Sequence, residues 1–327
     1  MTVQQGITKK SYVFASIKNT PANATVWEPA GKPRGIIQIA HGMAEYIDRY
    51  DDFAMFLAGE GFVVAGYNHY AHGNNVAPED WGVFPAEGGT ELLIEDYNIL
   101  KLHVRKTYGE ELPFFVFGHS MGSFIARANI SRHPDGVTGA IICGTGHNPA
   151  AVCKFGGFLA RRIMKAKGIR YRSAFLNGLA DGAYSKAIPD ARTPFDWLNT
   201  DPAKVDEYIA DPACGFMFSC SGYVALMGLT AEVADAARVN AIPKALPVFF
   251  IAGDRDPVGG NGKGVTAVAE MFKAAGMTAV EEKLYEGMRH EILNEPEHAV
   301  VYADVLAWLE AQLPAAACET VAAPEEA

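Results

Sequence analysis

Phe114-Phe115-Val116-Phe117-Gly118-His119-Ser120-Met121-Gly122-Ser123 is the stretch on which the reading of the fold turns. Its first four residues form a short, wholly apolar run of the kind found in strands buried on both faces. Gly118 to Gly122 is a G-x-S-x-G motif, and the residues from Ser123 to Arg132 read as a helix. The serine therefore falls on a tight turn between strand and helix, the setting that this motif requires. At such a turn the serine backbone is strained, and side chains at positions 118 and 122 would collide with the adjoining elements; glycine removes the collision. The following helix points its unpaired N-terminal amides at the same spot, which favours negative charge there. A plain glycine-rich connection is the alternative, and the strand and helix around it make Ser120 the better reading as a nucleophile.

Working outward, the rhythm of strand and helix repeats. Short apolar runs at 62–67, 114–117, 139–143 and 248–252 alternate with amphipathic stretches at 49–57, 92–108 and 121–132. Strands are also expected at 12–17, 24–27 and 35–40. A last helix begins near Pro296, with Val301, Val305, Trp308 and Leu309 at helical spacing. This alternation predicts an α/β protein with a mostly parallel central sheet flanked by helices. Between His147 and about Ala236 the pattern holds helices and loops but no buried strand. Residues 148–236 are therefore expected to form an inserted helical cap on a core made of 1–147 and 237–327, an irregular extension of the core being the other reading. Residues 314–327, rich in Ala and Glu, read as a solvated tail.

A serine hydroxyl becomes a nucleophile when an imidazole takes its proton and a carboxylate orients that imidazole. In an elbow of this kind the chain order is serine, acid, histidine. Beyond the run at 248–252 there are two histidines, His290 and His298. His298 falls in the first turn of the last helix, whereas His290 follows a strand end, where a parallel sheet places its chemistry. His290 is the expected base. The acid is expected in Gly253-Asp254-Arg255-Asp256-Pro257, where position alone leaves Asp254 and Asp256 open. The oxyanion of acyl transfer needs two N–H donors; Met121, directly after the serine, is one. The His41-Gly42-Met43-Ala44-Glu45 turn after the strand at 35–40 suggests Met43 as the other.

Composition excludes several alternatives. The 327 residues carry a net charge of -10, with 28 basic against 38 acidic side chains, so nucleic acid is not an expected partner. Met1 to Thr20 has no apolar signal core, and no run approaches the roughly 18 apolar residues of a membrane span. Five cysteines at irregular spacing (Cys143, Cys153, Cys214, Cys220, Cys318) fit reduced thiols, and a cytoplasmic location is expected. The chemistry requires no metal or organic cofactor.

Taken together, His41-Gly-Met-Ala-Glu-Tyr-Ile-Asp-Arg-Tyr50, Gly118-His-Ser-Met-Gly122, Gly253-Asp-Arg-Asp-Pro257 and Gly287-Met-Arg-His-Glu291 resemble the monoacylglycerol lipase and lysophospholipase branch of the α/β-hydrolases. The resemblance implies the α/β-hydrolase fold, a cap over the site, Asp256 as the acid and a small amphiphilic ester with an apolar acyl chain as substrate. It departs at Asn68-His-Tyr-Ala-His72-Gly73-Asn-Asn75, where the family shows Asp-x-x-Gly-His-Gly-x-Ser; this bears on substrate detail more than on mechanism. His119 is expected to point away from Ser120 and serve packing. Thioesterase, amidase or aminopeptidase and carbon–carbon hydrolase activities share the triad, and a capped ligand-binding receptor is the non-enzymatic alternative.

Seven basic residues from Lys154 to Arg172 stand among Phe155, Phe158, Leu159, Ile163 and Met164 with no acid between them. The segment reads as a cap helix with a solvated outer face, or as one that touches an anionic lipid surface. Trp197, Leu198, Tyr208, Phe216, Met217, Phe218 and Tyr223 are candidates for an acyl pocket.

Overall fold

The computed structural model describes residues 6–314 other than 180, 181 and 183. The expected tail beyond Pro314, and Cys318 with it, lie outside the described residues.

One sheet of eight strands organises the chain in the order β1-β2-β4-β3-β5-β6-β7-β8. β1 (Thr8–Ala15), β2 (Pro21–Glu28) and β4 (Phe62–Tyr67) pair antiparallel at one edge. From β4 through β3 (Gly35–Ala40), β5 (Phe114–His119), β6 (Gly139–Cys143), β7 (Val248–Gly253) and β8 (Val280–Tyr285) every pair is parallel. The central strands are apolar at consecutive positions because helices cover both faces of the sheet. Successive residues enter different cores: Ile36, Phe114 and Val116 pack on one face, and Ile37, Phe115 and Phe117 on the other. At the far edge β8 carries Glu281, Glu282 and Lys283, charges that suit a strand paired on one side alone.

The sequence placed the start of β1 four residues too late and its end two residues too late. Ser16 to Thr20 form the hairpin turn, with the Ser16 amide donating to Thr20 O and Asn19 at φ 56°. The strand must therefore end at Ala15.

α1 (Asp51–Gly59), α2 (Gly89–Tyr108), α3 (Met121–Arg132), α9 (Lys263–Ala274) and α10 (His298–Ala311) flank the sheet. Between β6 and β7 the chain is helical, as expected: α4 (Ala150–Lys167), α5 (Ala174–Leu179), α6 (Pro202–Ala210), α7 (Cys220–Val233) and α8 (Ala236–Ala241). α7 is buried along most of its length because α4 packs on it from outside while α2 and α3 receive it from within. No helix among the described residues is long and apolar enough to cross a membrane.

Candidate active site

Ser120 sits at the join of β5 and α3 with φ 55° and ψ -121°, a conformation a non-glycine residue holds only under constraint. Its amide donates to Cys143 O at 3.0 Å, and Ser123 N donates back to Ser120 O at 2.9 Å. The glycines admit this geometry. A Cβ on Gly122 would lie 2.0 Å from Ala40 O, and one on Gly118 2.2 Å from Gly122 O. α3 thus runs against β3 and β5 as closely as backbone permits, with the hydroxyl raised at its tip.

His290 and Asp256 come from the loops after β8 and β7. His290 Nδ1 lies 2.8 Å from Asp256 Oδ2, with both side chains buried. Val258 N donates to the other carboxylate oxygen at 2.8 Å. Asp254, the alternative left open by position, accepts the Gly287 amide at 2.8 Å instead and shapes the turn. Since Nδ1 faces the carboxylate, Nε2 is the imidazole nitrogen left for the cavity, whose wall His290 and Ser120 share. Among the described residues no hydrogen bond joins the Ser120 hydroxyl directly to the imidazole; bonds of this kind are often long before substrate binds.

Met43 and Met121 line the same cavity. The amide of Gly42 is taken by Glu45 Oε1 at 2.5 Å and that of Ala44 by His72 Nε2 at 3.2 Å. Among the described residues the amides of Met43 and Met121 have no protein acceptor. Two adjacent loops thus offer one unspent N–H each beside the serine, where an anion would be held.

Sequence reasoning missed the polar cluster beneath these loops. Arg49 bonds Glu291 with both nitrogens, at 2.7 and 2.8 Å, and Glu45 at 2.5 Å. Tyr50 Oη donates to Glu45 Oε1 at 2.8 Å and lies 3.0 Å from His119 Nδ1, while His119 Nε2 donates to His290 O at 3.1 Å. Burial opposes charge at Glu45, Arg49, His119 and Glu291, and pairing overrides it, whereas burial and Glu45 together keep the Tyr50 phenol neutral. Burial pushes Glu45 up, but His119 and Arg49 hold it well below the usual carboxylate range. Glu291 is lowered likewise, burial being outweighed by Arg49. Burial pulls His119 down, yet Glu45 and Glu291 leave it raised. An imidazolium fits the geometry, since both ring nitrogens then donate. With His119 protonated, two carboxylates, a guanidinium and an imidazolium would balance. His119 shares the cavity wall with Ser120, packs its ring 4.7 Å from that of His290 and also acts as a polar strut to the backbone of His290. The i,i+4 spacing of Glu45 and Arg49 was visible in the sequence; it ordinarily marks an exposed helix pair, and nothing there joined it to Glu291, 242 residues on.

The cavity holds about 450 Å³ and is walled chiefly by apolar side chains. Of the residues expected around an acyl chain, Trp197, Leu198, Tyr208, Phe216 and Tyr223 line it. Phe218 packs in the core against His72, at 5.4 Å between ring centroids, and Met217 is absent from the wall. α4 supplies Val152, Phe155 and Leu159. Among the described residues no group of three or more His, Cys, Asp or Glu is arranged to hold a metal ion.

Residues 31–297 match the family model Hydrolase_4, described as serine aminopeptidase, S33. The chain belongs to this hydrolase family. A monoacylglycerol lipase of Mycolicibacterium smegmatis is 29% identical over 317 residues, which is 94% of this chain and 99% of that protein. Human monoglyceride lipase is 24% identical, covering 82% of this chain and 79% of its own. Among solved structures, a thermostable carboxyl esterase from Bacillus coagulans superposes with a TM-score of 0.86 at 30% identity, over 93% of this chain and 98% of that one. This Hydrolase_4 member has the α/β-hydrolase fold and is a serine hydrolase of the lipase and esterase type, distantly similar to monoacylglycerol lipases.

Proposed function

We propose that the protein hydrolyses carboxylic esters of small amphiphilic lipids through an acyl-enzyme on Ser120. The observation that carries this is the 2.8 Å His290–Asp256 contact on the wall of an apolar cavity that also holds Ser120. Ser120 Oγ attacks the ester carbonyl while His290 Nε2 takes its proton, and Asp256 stabilises the imidazolium that results. The amides of Met43 and Met121 receive the carbonyl oxygen as it becomes an oxyanion. Collapse breaks the bond to the alcohol, which leaves with the proton from His290. A water, deprotonated by the same imidazole, then attacks the acyl-enzyme and releases the carboxylic acid, restoring the serine.

The walls favour an acyl chain over a peptide. An aminopeptidase must place an anion against the substrate ammonium, and among the described residues the two carboxylates that reach the cavity, Glu45 and Glu291, are already bound to Arg49. A volume of 450 Å³ has room for roughly fifteen non-hydrogen atoms at about 30 Å³ each. That fits a medium acyl chain with a small alcohol such as glycerol. The lipases and esterases to which the chain is similar support the same class.

The insert 148–236 acts as the cap through which such a substrate enters. Val152, Phe155 and Leu179 line the cavity and are also 57%, 65% and 63% exposed, so its mouth opens on an apolar face of the cap. Lys154, Arg161, Arg162, Lys165 and Lys167 surround that face, exposed and without a salt bridge among the described residues. Arg170 is held by Asp80 and Arg172 by backbone oxygens, so these two do not contribute. These five cations, none of them in a salt bridge among the described residues, suit an anionic lipid surface.

Labelling with a fluorophosphonate should modify Ser120 stoichiometrically and be lost in Ser120→Ala and His290→Ala. An ester series should show turnover that depends on acyl length and peaks at chains of about 8 carbons, which with glycerol make up roughly fifteen non-hydrogen atoms, with amino-acid anilides far slower. Folded protein that resists the probe would return the site to a ligand-binding role, and anilides turned over faster than esters would make it an aminopeptidase. Binding to anionic vesicles should exceed binding to zwitterionic ones and fall when Arg161, Arg162 and Lys165 are neutralised; equal binding to both sinks the lipid-surface role.

A further inference from the structure

Three buried imidazoles, His41, His69 and His72, stand together behind the Met43 turn, with His41 and His69 centroids 3.9 Å apart and His41 and His72 5.2 Å apart. They stitch two loops, the one after β3 and the one after β4. His41 Nε2 accepts the His69 amide at 2.9 Å, and His69 Nε2 donates to His41 O at 3.1 Å. His72 Nδ1 donates to Tyr70 O at 2.9 Å, which leaves Nε2 bare to accept the Ala44 amide at 3.2 Å. Nearby, Asn68 Oδ1 accepts the Ile47 amide at 2.9 Å. The segment 68–75 is thus the scaffold on which the Met43 turn is hung.

Ala44 has φ 54°, a left-handed conformation that a side chain makes costly. Something must hold it there, and four bonds do. Its amide goes to His72, its carbonyl receives Gly215 N at 2.9 Å and Tyr208 Oη at 3.1 Å, and Gly42 N is pinned by Glu45. With the amides on either side spent, the Met43 N–H between them is left for the cavity.

We infer that His72 is a positioning residue for ester hydrolysis: the lone pair on its Nε2, by holding the Ala44 amide, aims the Met43 amide at the oxyanion. The residue type suits the task. Phe84, Phe216 and Phe218 enclose the ring, and burial pulls its pKa down to about 3. The imidazole therefore stays neutral at working pH and its acceptor is always available. Glutamine can offer a comparable acceptor; phenylalanine keeps the ring and loses it.

The inference rests on the Ser120 reading, so the tests are kept apart. Fluorophosphonate labelling of wild type checks that reading alone. His72→Phe and His72→Gln are then assayed with a p-nitrophenyl octanoate substrate and an alkylboronic acid, which becomes a tetrahedral anion on the serine. His72→Phe should lower kcat by roughly 10- to 100-fold with KM within about twofold, and weaken the boronic acid in parallel. His72→Gln should recover most of both losses. Equal kcat and boronic-acid affinity in folded His72→Phe, a change confined to KM, or a glutamine variant as impaired as the phenylalanine one each overturns the inference. Should the phenylalanine variant not fold, the 15N spectrum of histidine-labelled wild type decides: His72 must show a protonated Nδ1 and a bare Nε2 from pH 5 to 8, and a protonated Nε2 refutes the bond to Ala44.

Discussion

Replacing Arg49 by methionine removes the single guanidinium that two buried carboxylates share. The Arg49 side chain is 15% exposed, and those of Glu45 and Glu291 are 4% and 5%. Screening by water is slight, and removing one member of such a cluster costs about 3–5 kcal/mol because the partners are stranded. Methionine keeps much of the stem that lies over the Tyr208 ring, whose centroid is 4.8 Å from the guanidinium carbon, so the loss is mainly electrostatic. Its pH dependence follows. In the wild type Glu45 and Glu291 sit below the ordinary 4.5. The stability they confer is present above that value and is lost as pH falls through their folded pKa values. Without Arg49, burial is left to raise Glu291 while Glu45 keeps the His119 imidazole, so the folded variant takes up a proton at Glu291 more readily than its unfolded chain. The difference between the two proteins should be largest near pH 7.5 and shrink toward pH 5. Urea unfolding followed by tryptophan fluorescence at pH 7.5, 6 and 5 measures it. A loss below about 1 kcal/mol at pH 7.5, or a gap constant across the three values, refutes the view of this cluster as a desolvated unit.

Other outcomes follow from single distances. Gly122→Ala should destabilise by about 3 kcal/mol or more, since the new Cβ would meet the Ala40 carbonyl at 2.0 Å. Gly156→Ala, facing the movable Met227 Sδ at 3.0 Å, should cost less than about 1 kcal/mol by the same thermal or urea assay. Asp256→Asn should lower kcat roughly 10³- to 10⁴-fold and Asp254→Asn less than about tenfold, which steady-state kinetics on a soluble ester will separate. Burial lowers His41 from 6.5 to about 4, so between these values the unfolded chain binds a proton that the folded one refuses. Stability must then fall as pH drops through that window, by on the order of 3 kcal/mol. His41→Asn should flatten this limb of the stability–pH curve, and an unchanged slope would show that other groups set it.

Much of the site was legible before any coordinates. The central strands were found nearly to the residue because a strand covered on both sides must be apolar throughout, and runs such as Phe62–Tyr67 have no other use. Ser120 was legible because the elbow writes its geometry into neighbouring glycines, and the His290 position because a parallel sheet carries its chemistry on one edge. What escaped reading is long-range. Asp254 and Asp256 are both carboxylates two residues apart, and the choice between them is a matter of which side of a turn each faces. Phe216 and Phe218 are chemically alike, but Phe216 lines the cavity while Phe218 packs into the core.

The amino-acid order alone determined the class of fold, the elbow and the list of reactive groups, since these follow from local backbone sterics and from burial. Tertiary structure decided which groups meet. Arg49 reaches Glu291, His119 reaches the backbone of His290, and His72 reaches Ala44. The reason is physical: a buried charge or an unpaired amide must find a partner once water is gone, and which partner lies within 3 Å is set by how the sheet brings distant loops together.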